Sequence, residues 1–237
     1  MRRPTSSVFT TALALGVMML LASASARADG REEGPTEIEK CQTIDKPGSY
    51  KLVRDITFAA TFGTCLPITA SDVTIDLAGF TISGPGGVAT AIGASPSQGQ
   101  VVDRIAVRNG SISGFNVGVD LRGRGSIVEG LRVSGLFFGI VAAGIVKGNT
   151  VVVPVGTGIS AAGIITGNFV INCDLNYSIG EGSTVIGNTA VGDPHKSTVG
   201  FRVACPSNVT DNTAVNNDQG KLVLNGAGCN NTNNVAP

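Results

Sequence analysis

The sequence predicts an all-β parallel solenoid, and three observations carry that prediction. A small aliphatic residue returns at Leu77, Val107, Val128, Val146, Ile165, Val185 and Val209, at intervals of 30, 21, 18, 19, 20 and 24 residues, each time opening a similar short phrase. A second ladder, Ile92, Val119, Ile140, Ile159, Ile179, Phe201 and Leu222, keeps step with the first, and most of its members follow a glycine. Apolar residues alternate with others around both ladders, as at Val73, Ile75 and Leu77. Period two marks a strand. Fixed-interval repeats made of short strands and turns mark a solenoid, in which each coil buries its apolar face only against its neighbours.

From the N-terminus, residues 1–28 read as a secretory signal: Arg2 and Arg3 precede the apolar run Thr11 to Ala22, and Ala26-Arg27-Ala28 suits cleavage before Asp29. The apolar run is too short to span a bilayer and no later segment has the length, so no membrane anchor is expected. The expected location is secreted or periplasmic. The signal holds three of the 17 basic residues and no acid, leaving 14 basic against 17 acidic residues, a net of −3. That sparse, mixed charge excludes the basic patch a nucleic-acid partner would need. The absence of Trp and the low aromatic content suit thin coils filled by Val and Ile.

Residues 29–47 are expected as a flexible segment and the start of a cap, residues 48–225 as the solenoid of about seven to eight coils, and residues 226–237 as a polar tail. Exposed strand edges at both ends of a solenoid would otherwise recruit other chains. All five cysteines lie in the exported part. Cys41 with Cys65 and Cys205 with Cys229 are each separated by 24 residues, about one coil, so each pair is expected to bridge neighbouring coils near one end. Cys173 is left as a free thiol and reads as a small buried hydrophobe.

Gly79, Gly110, Gly130, Gly148, Gly167 and Gly187 interrupt successive strands where the chain must turn. Equivalent strands one coil apart run parallel, which makes sheets with a dry aliphatic inner face. Asn149, Asn168, Asn188 and Asn212 share one column, so their amides are expected to stack as a structural ladder at one turn, with sugar binding as the second reading of that column.

Phrases such as Val73-Thr-Ile-Asp-Leu-Ala-Gly-Phe-Thr-Ile, Val107-Arg-Asn-Gly-Ser-Ile and Gly148-Asn-Thr-Val resemble the repeats of the pectate-lyase-like superfamily over about residues 48 to 225. The resemblance implies a single-stranded right-handed parallel β-helix, and within the superfamily the chain looks most like small exported members of unassigned activity. Superfamily enzymes act mostly on extracellular acidic polysaccharides, as lyases, hydrolases or epimerases. The repeat residues build coils, however, and do not specify chemistry.

Two constellations are candidates for function. Asp193-Pro194-His195-Lys196 resembles the Asp-Pro-His-Asp motif of mannuronan epimerases, in which the histidine and acids act on a uronate. His195, the only histidine, and Asp193 would move protons, and Arg202 would hold the carboxylate. Lys196 replaces the second acid of that motif, and a plain Gly-Asp-Pro turn is the favoured reading of the tetrapeptide, with catalysis as the alternative. Arg108, Glu129 and Lys147 form a column of alternating charge on successive coils, and Asp120 and Arg122 lie close by, with Arg124 and Arg132 adding positive charge. The favoured reading of this column is an ordinary solvated sheet face; as the alternative, these are the candidate substrate-binding residues for an anionic chain.

No cofactor is expected, with calcium kept as the alternative although the sequence offers no clear site for it. A lyase-type calcium site would need clustered acids on neighbouring strands, whereas Asp174, Glu181 and Asp193 fall in different columns. The leading expectation is an exported protein that binds an extracellular polysaccharide or serves as a structural surface element. The alternative is a polysaccharide lyase or epimerase acting on uronate-containing glycans.

Overall fold

The computed structural model describes residues 34–94, 101–153 and 155–235; the expected signal peptide lies outside them. Among the described residues there is no helix, and nineteen parallel strands stack into a β-solenoid of about eight turns. Each coil contributes to three faces. The first includes Gly48–Leu52, Val73–Asp76, Thr184–Ile186 and Asn208–Thr210. The second includes Thr81–Ser83, Thr150–Val152, Phe169–Ile171, Thr189–Val191 and Thr213–Val215. The third includes Thr90–Ala94, Leu175–Ile179, Val199–Ala204 and Gly220–Asn225. Two longer extended runs, Ile105–Lys147 and Thr157–Thr166, pass through corners from one face to the next.

The first ladder lies inside the first face. Val146 pairs with Ile165, Ile165 with Val185 and Val185 with Val209, all of them buried. Its first member differs from the expectation: Ile75, not Leu77, pairs with Val107. Leu77 is also buried, but at the corner above Gly110, where an added Cβ would lie 2.3 Å from the Leu77 Cβ. Gly110 therefore serves close packing, and its φ is not positive.

The left-handed corner position falls on Ala78, Asn109, Gly130, Gly148, Gly167, Gly187, Asp211 and Asn233, with φ between 52° and 63°. Glycine and asparagine dominate this column because they tolerate that backbone conformation best.

The second ladder fills the third face, with one member replaced. Ile159 pairs with Tyr177, and Tyr177 with Phe201, whereas Ile179 pairs with Ala161 and Val203. The Tyr177 ring lies on the Phe201 ring at a centroid distance of 4.4 Å. Its hydroxyl lies 2.8 Å from the Asn168 carbonyl and 3.0 Å from that of Thr189, so the buried phenol is satisfied. Burial raises its pKa well above that of an exposed tyrosine. The glycine that precedes most ladder residues is replaced here by Asn176, which concealed the rung.

The asparagine ladder is internal from Asn149 to Asn212. Nδ2 of Asn149, Asn168, Asn188 and Asn212 each donates to the Oδ1 of the next member at 2.9–3.0 Å. The last acceptor is Asn234, a fifth amide in the column. Each Nδ2 of these five also donates to a carbonyl one coil back, at Val128, Val146, Ile165, Val185 and Val209 in turn. With their hydrogen-bonding groups committed inward and Asn149 to Asn212 at most 2 % exposed, these amides build the corner and are not presented to a ligand.

Both ends carry a covalent clip. Cys41 is bonded to Cys65 and Cys205 to Cys229, and Cys173 is free and buried. Burial pushes the Cys173 thiol up to about 12. Strand Thr36–Ile38 pairs with Gly48–Leu52 ahead of the first clip, and Asn230–Thr232 pairs with Asn208–Thr210 beyond the second. The polar segment after Asn225 thus continues the coil.

Candidate functional site

The side chains that could meet a partner point outward from the three faces, and the parallel register sorts them into columns. On the first face Lys51 pairs with Asp76 and Asp76 with Arg108. Arg108 Nε lies 3.3 Å from the Asp76 carboxylate, and Lys147 Nζ lies 3.0 Å from that of Glu129. The expected column Arg108, Glu129, Lys147 is therefore part of a longer alternation that begins at Lys51. Each cation has an acid beside it. Exposed pairs of this kind contribute at most about 1 kcal/mol, and they leave little net field for an anionic chain.

The third face holds Asp120, which pairs with Gly93, and Arg122 two residues on. Arg122 grips the Asp120 carboxylate through Nε at 2.9 Å and through its terminal nitrogen at 3.2 Å. Along the same outward column Ser160 pairs with Val141 and Ser178, and Ser178 with Arg202. A shallow concavity of about 350 Å³ lies between Arg122, Ser160, Ser178 and Gly180.

Asp193, Pro194, His195 and Lys196 form a turn before the third face. The Asp193 carboxylate accepts the His195 backbone N–H at 2.9 Å and lies 4.0 Å from Lys196 Nζ, and the Lys196 N–H closes the turn on the Asp193 carbonyl at 3.0 Å. Asp193 thus shapes its own turn, as Gly-Asp-Pro sequences commonly do. Arg202 lies on the strand that follows, and no hydrogen bond or ion pair joins it to Asp193 or His195. No group of three His, Cys, Asp or Glu among the described residues could hold a metal ion.

The second face differs from the other two. Its outward columns run through Thr81, Ser111, Arg132 and Thr150 to Phe169, and through Ser83, Ser113, Ser134 and Val152 to Ile171. Thr189 with Val191 and Thr213 with Val215 continue them. Strands rich in β-branched residues with period-two burial make this surface pleated and regular. From Thr81 to Val215 it carries hydroxyl, aliphatic and aromatic side chains and a single charge, Arg132. Unlike Arg104, Arg108, Arg122 and Lys147, Arg132 has no acidic partner among the described residues.

Arg132 and Ser111 are shared by two shallow concavities. One, of about 290 Å³, reaches Ser134, Thr150 and Val152; the other, of about 260 Å³, is cut into the corner by Gly79, Gly110 and Gly130. Two rungs from Arg132, the Phe169 ring is 39 % exposed. The sequence placed Arg132 only among cations adding charge, and did not single out Phe169. A signal was nonetheless present: in five of the seven strands two hydroxyl or aliphatic residues flank one buried residue, and Arg132 and Phe169 are the two exceptions to that pattern.

No family model, no curated protein and no solved structure matches this chain; the structure shows a parallel β-solenoid of about eight turns and no superfamily beyond it.

Proposed function

We propose that this chain is exported and acts as a polysaccharide-binding solenoid, secreted or held in the periplasm, with the polymer lying lengthwise on the second face. Export is supported by the signal-like N-terminus and by two disulfides, which persist in oxidising compartments. The observation that carries the binding reading is the contrast between faces. Arg108 and Lys147 on the first face and Arg122 on the third hold acids, whereas the second face, from Thr81 to Val215, has one charge, Arg132, set in a run of hydroxyls with an exposed phenylalanine in register. Hydroxyl groups and a guanidinium serve sugar hydroxyls, and an aromatic ring covers the apolar face of a pyranose.

The test is affinity electrophoresis of the secreted chain through gels containing a panel of extracellular polysaccharides. Retardation by at least one polymer, lost when Arg132 and Phe169 are both replaced by alanine, supports the reading. Unchanged mobility across the panel overturns it in favour of a purely structural element. N-terminal sequencing of exported material should begin at Asp29.

A further inference from the structure

We infer that the polymer recognised by the second face is an uncharged, extended polysaccharide and not a polyuronate; this deepens the polysaccharide-binding reading and rests on it. The argument starts from charge. From Thr81 to Val215 the face spans seven rungs, and its outward positions hold one charged side chain, Arg132. A polyuronate brings a carboxylate on every sugar. Laid along such a face, it would meet a single guanidinium and elsewhere place its charges against Thr, Val and Ile without compensation. Burying charges that lack partners is unfavourable.

Charge is sparse in the chain as a whole, but the other two faces carry more of it than the second. The first face alternates Lys51, Asp76 and Arg108, and the third carries Asp120, Arg122 and Arg202. The low charge of the second face is therefore local, because the few charged residues of the strands gather on the other two faces.

The face also supplies what a neutral chain needs. Successive rungs lie about 4.8 Å apart along the solenoid axis, close to the advance of one sugar in an extended chain, so equivalent side chains meet successive sugars. Phe169, among the aliphatic Val152 and Ile171, is the apolar platform, on which one pyranose ring stacks. Arg132, with five N–H donors and no acid to hold them, lies two rungs away between the hydroxyls of Ser111 and Thr150, and these groups engage sugar hydroxyls.

Titration of the whole exported chain with soluble neutral polymers (a linear β-glucan and a xylan) and with polyuronates (polygalacturonate and alginate), each at low and high salt, tests this inference. The expected result is binding to a neutral polymer that changes little with salt. Phe169→Ala should weaken it about tenfold, Phe169→Tyr should retain it, and Lys51→Ala on the first face should not change it. Thermal melts of each variant separate lost binding from lost folding. Salt-sensitive binding to the polyuronates alone would overturn this inference while leaving the polysaccharide reading standing. Binding to no polymer would overturn both.

Discussion

Asn188 accepts two hydrogen bonds from Asn168 on one Oδ1, from the backbone N–H at 3.0 Å and from Nδ2 at 2.9 Å, and passes its own Nδ2–H on to Asn212. Asn188 is fully buried, so its loss leaves the Asn168 donors and the Ile165 carbonyl unpaired in a dry corner. Asn188→Ala should therefore destabilise the solenoid by about 3 kcal/mol or more, read by denaturant unfolding. Asn208→Ala, at an exposed position one coil on, should stay within about 0.5 kcal/mol. Equal effects of the two would show that the ladder contributes nothing special.

Alkaline pH should weaken the fold through Cys173. In the unfolded chain this thiol ionises near its ordinary value of 9.0, whereas burial holds the folded thiol protonated up to about 12. A folded-state pKa above the unfolded one means stability that is complete below about pH 9 and lost as pH rises toward 12. Tyr177, raised in the same direction by burial, adds to the loss above its ordinary value of 10.0. Urea midpoints at pH 8 and pH 10.5 should fall for the natural chain and fall less for Cys173→Ala. Parallel losses would remove the thiol from the account.

The clip between Cys205 and Cys229 should matter locally. It joins the last coil to its neighbour, where Leu222 and Leu224 are only half-buried while the equivalent Phe201 and Val203 are sealed by the next rung. Replacing both cysteines by serine should cost about 3 kcal/mol. It should raise amide exchange across Gly220–Asn225 and Asn230–Thr232 while leaving Thr184–Ile186 protected. Uniform acceleration along the whole chain would contradict this local role.

Two glycines of similar appearance should respond in opposite ways. At Gly110 a Cβ would meet the Leu77 Cβ at 2.3 Å and the Phe80 carbonyl at 2.8 Å, so Gly110→Ala should destabilise by about 1–3 kcal/mol. At Gly167 the backbone has φ 62° and nothing lies within 4 Å, the situation in which Asn109 and Asn233 already stand. Gly167→Asn should leave the melting temperature nearly unchanged. A large loss at Gly167 would mean that the corner tolerates only glycine.

The solenoid, its parallel strands, the asparagine column and both disulfide pairs were legible in the sequence, because a stacked coil must repeat its inward residues at nearly constant intervals. Spacing of 24 residues was enough to pair the cysteines, since one coil separates stacked neighbours. Counting failed where a coil changes length. Ile75 took the rung expected for Leu77, and Tyr177 the rung expected for Ile179, because loops absorb insertions and backbone pairing then chooses the register that packs best.

The tertiary structure alone decided which charged and polar groups remain available. Arg122 and Arg132 look alike in the sequence, but the first holds Asp120 at 2.9 Å while the second lies beside Ser111 and Thr150 with no acidic ion-pair partner among the described residues. Likewise the four asparagines read from the sequence are committed inward, and the second face with its single charge emerges only when residues about 20 positions apart are stacked side by side. Repetition along the chain determines the coil. Which side chains satisfy one another depends on distances between coils, and these exist only once the chain is wound.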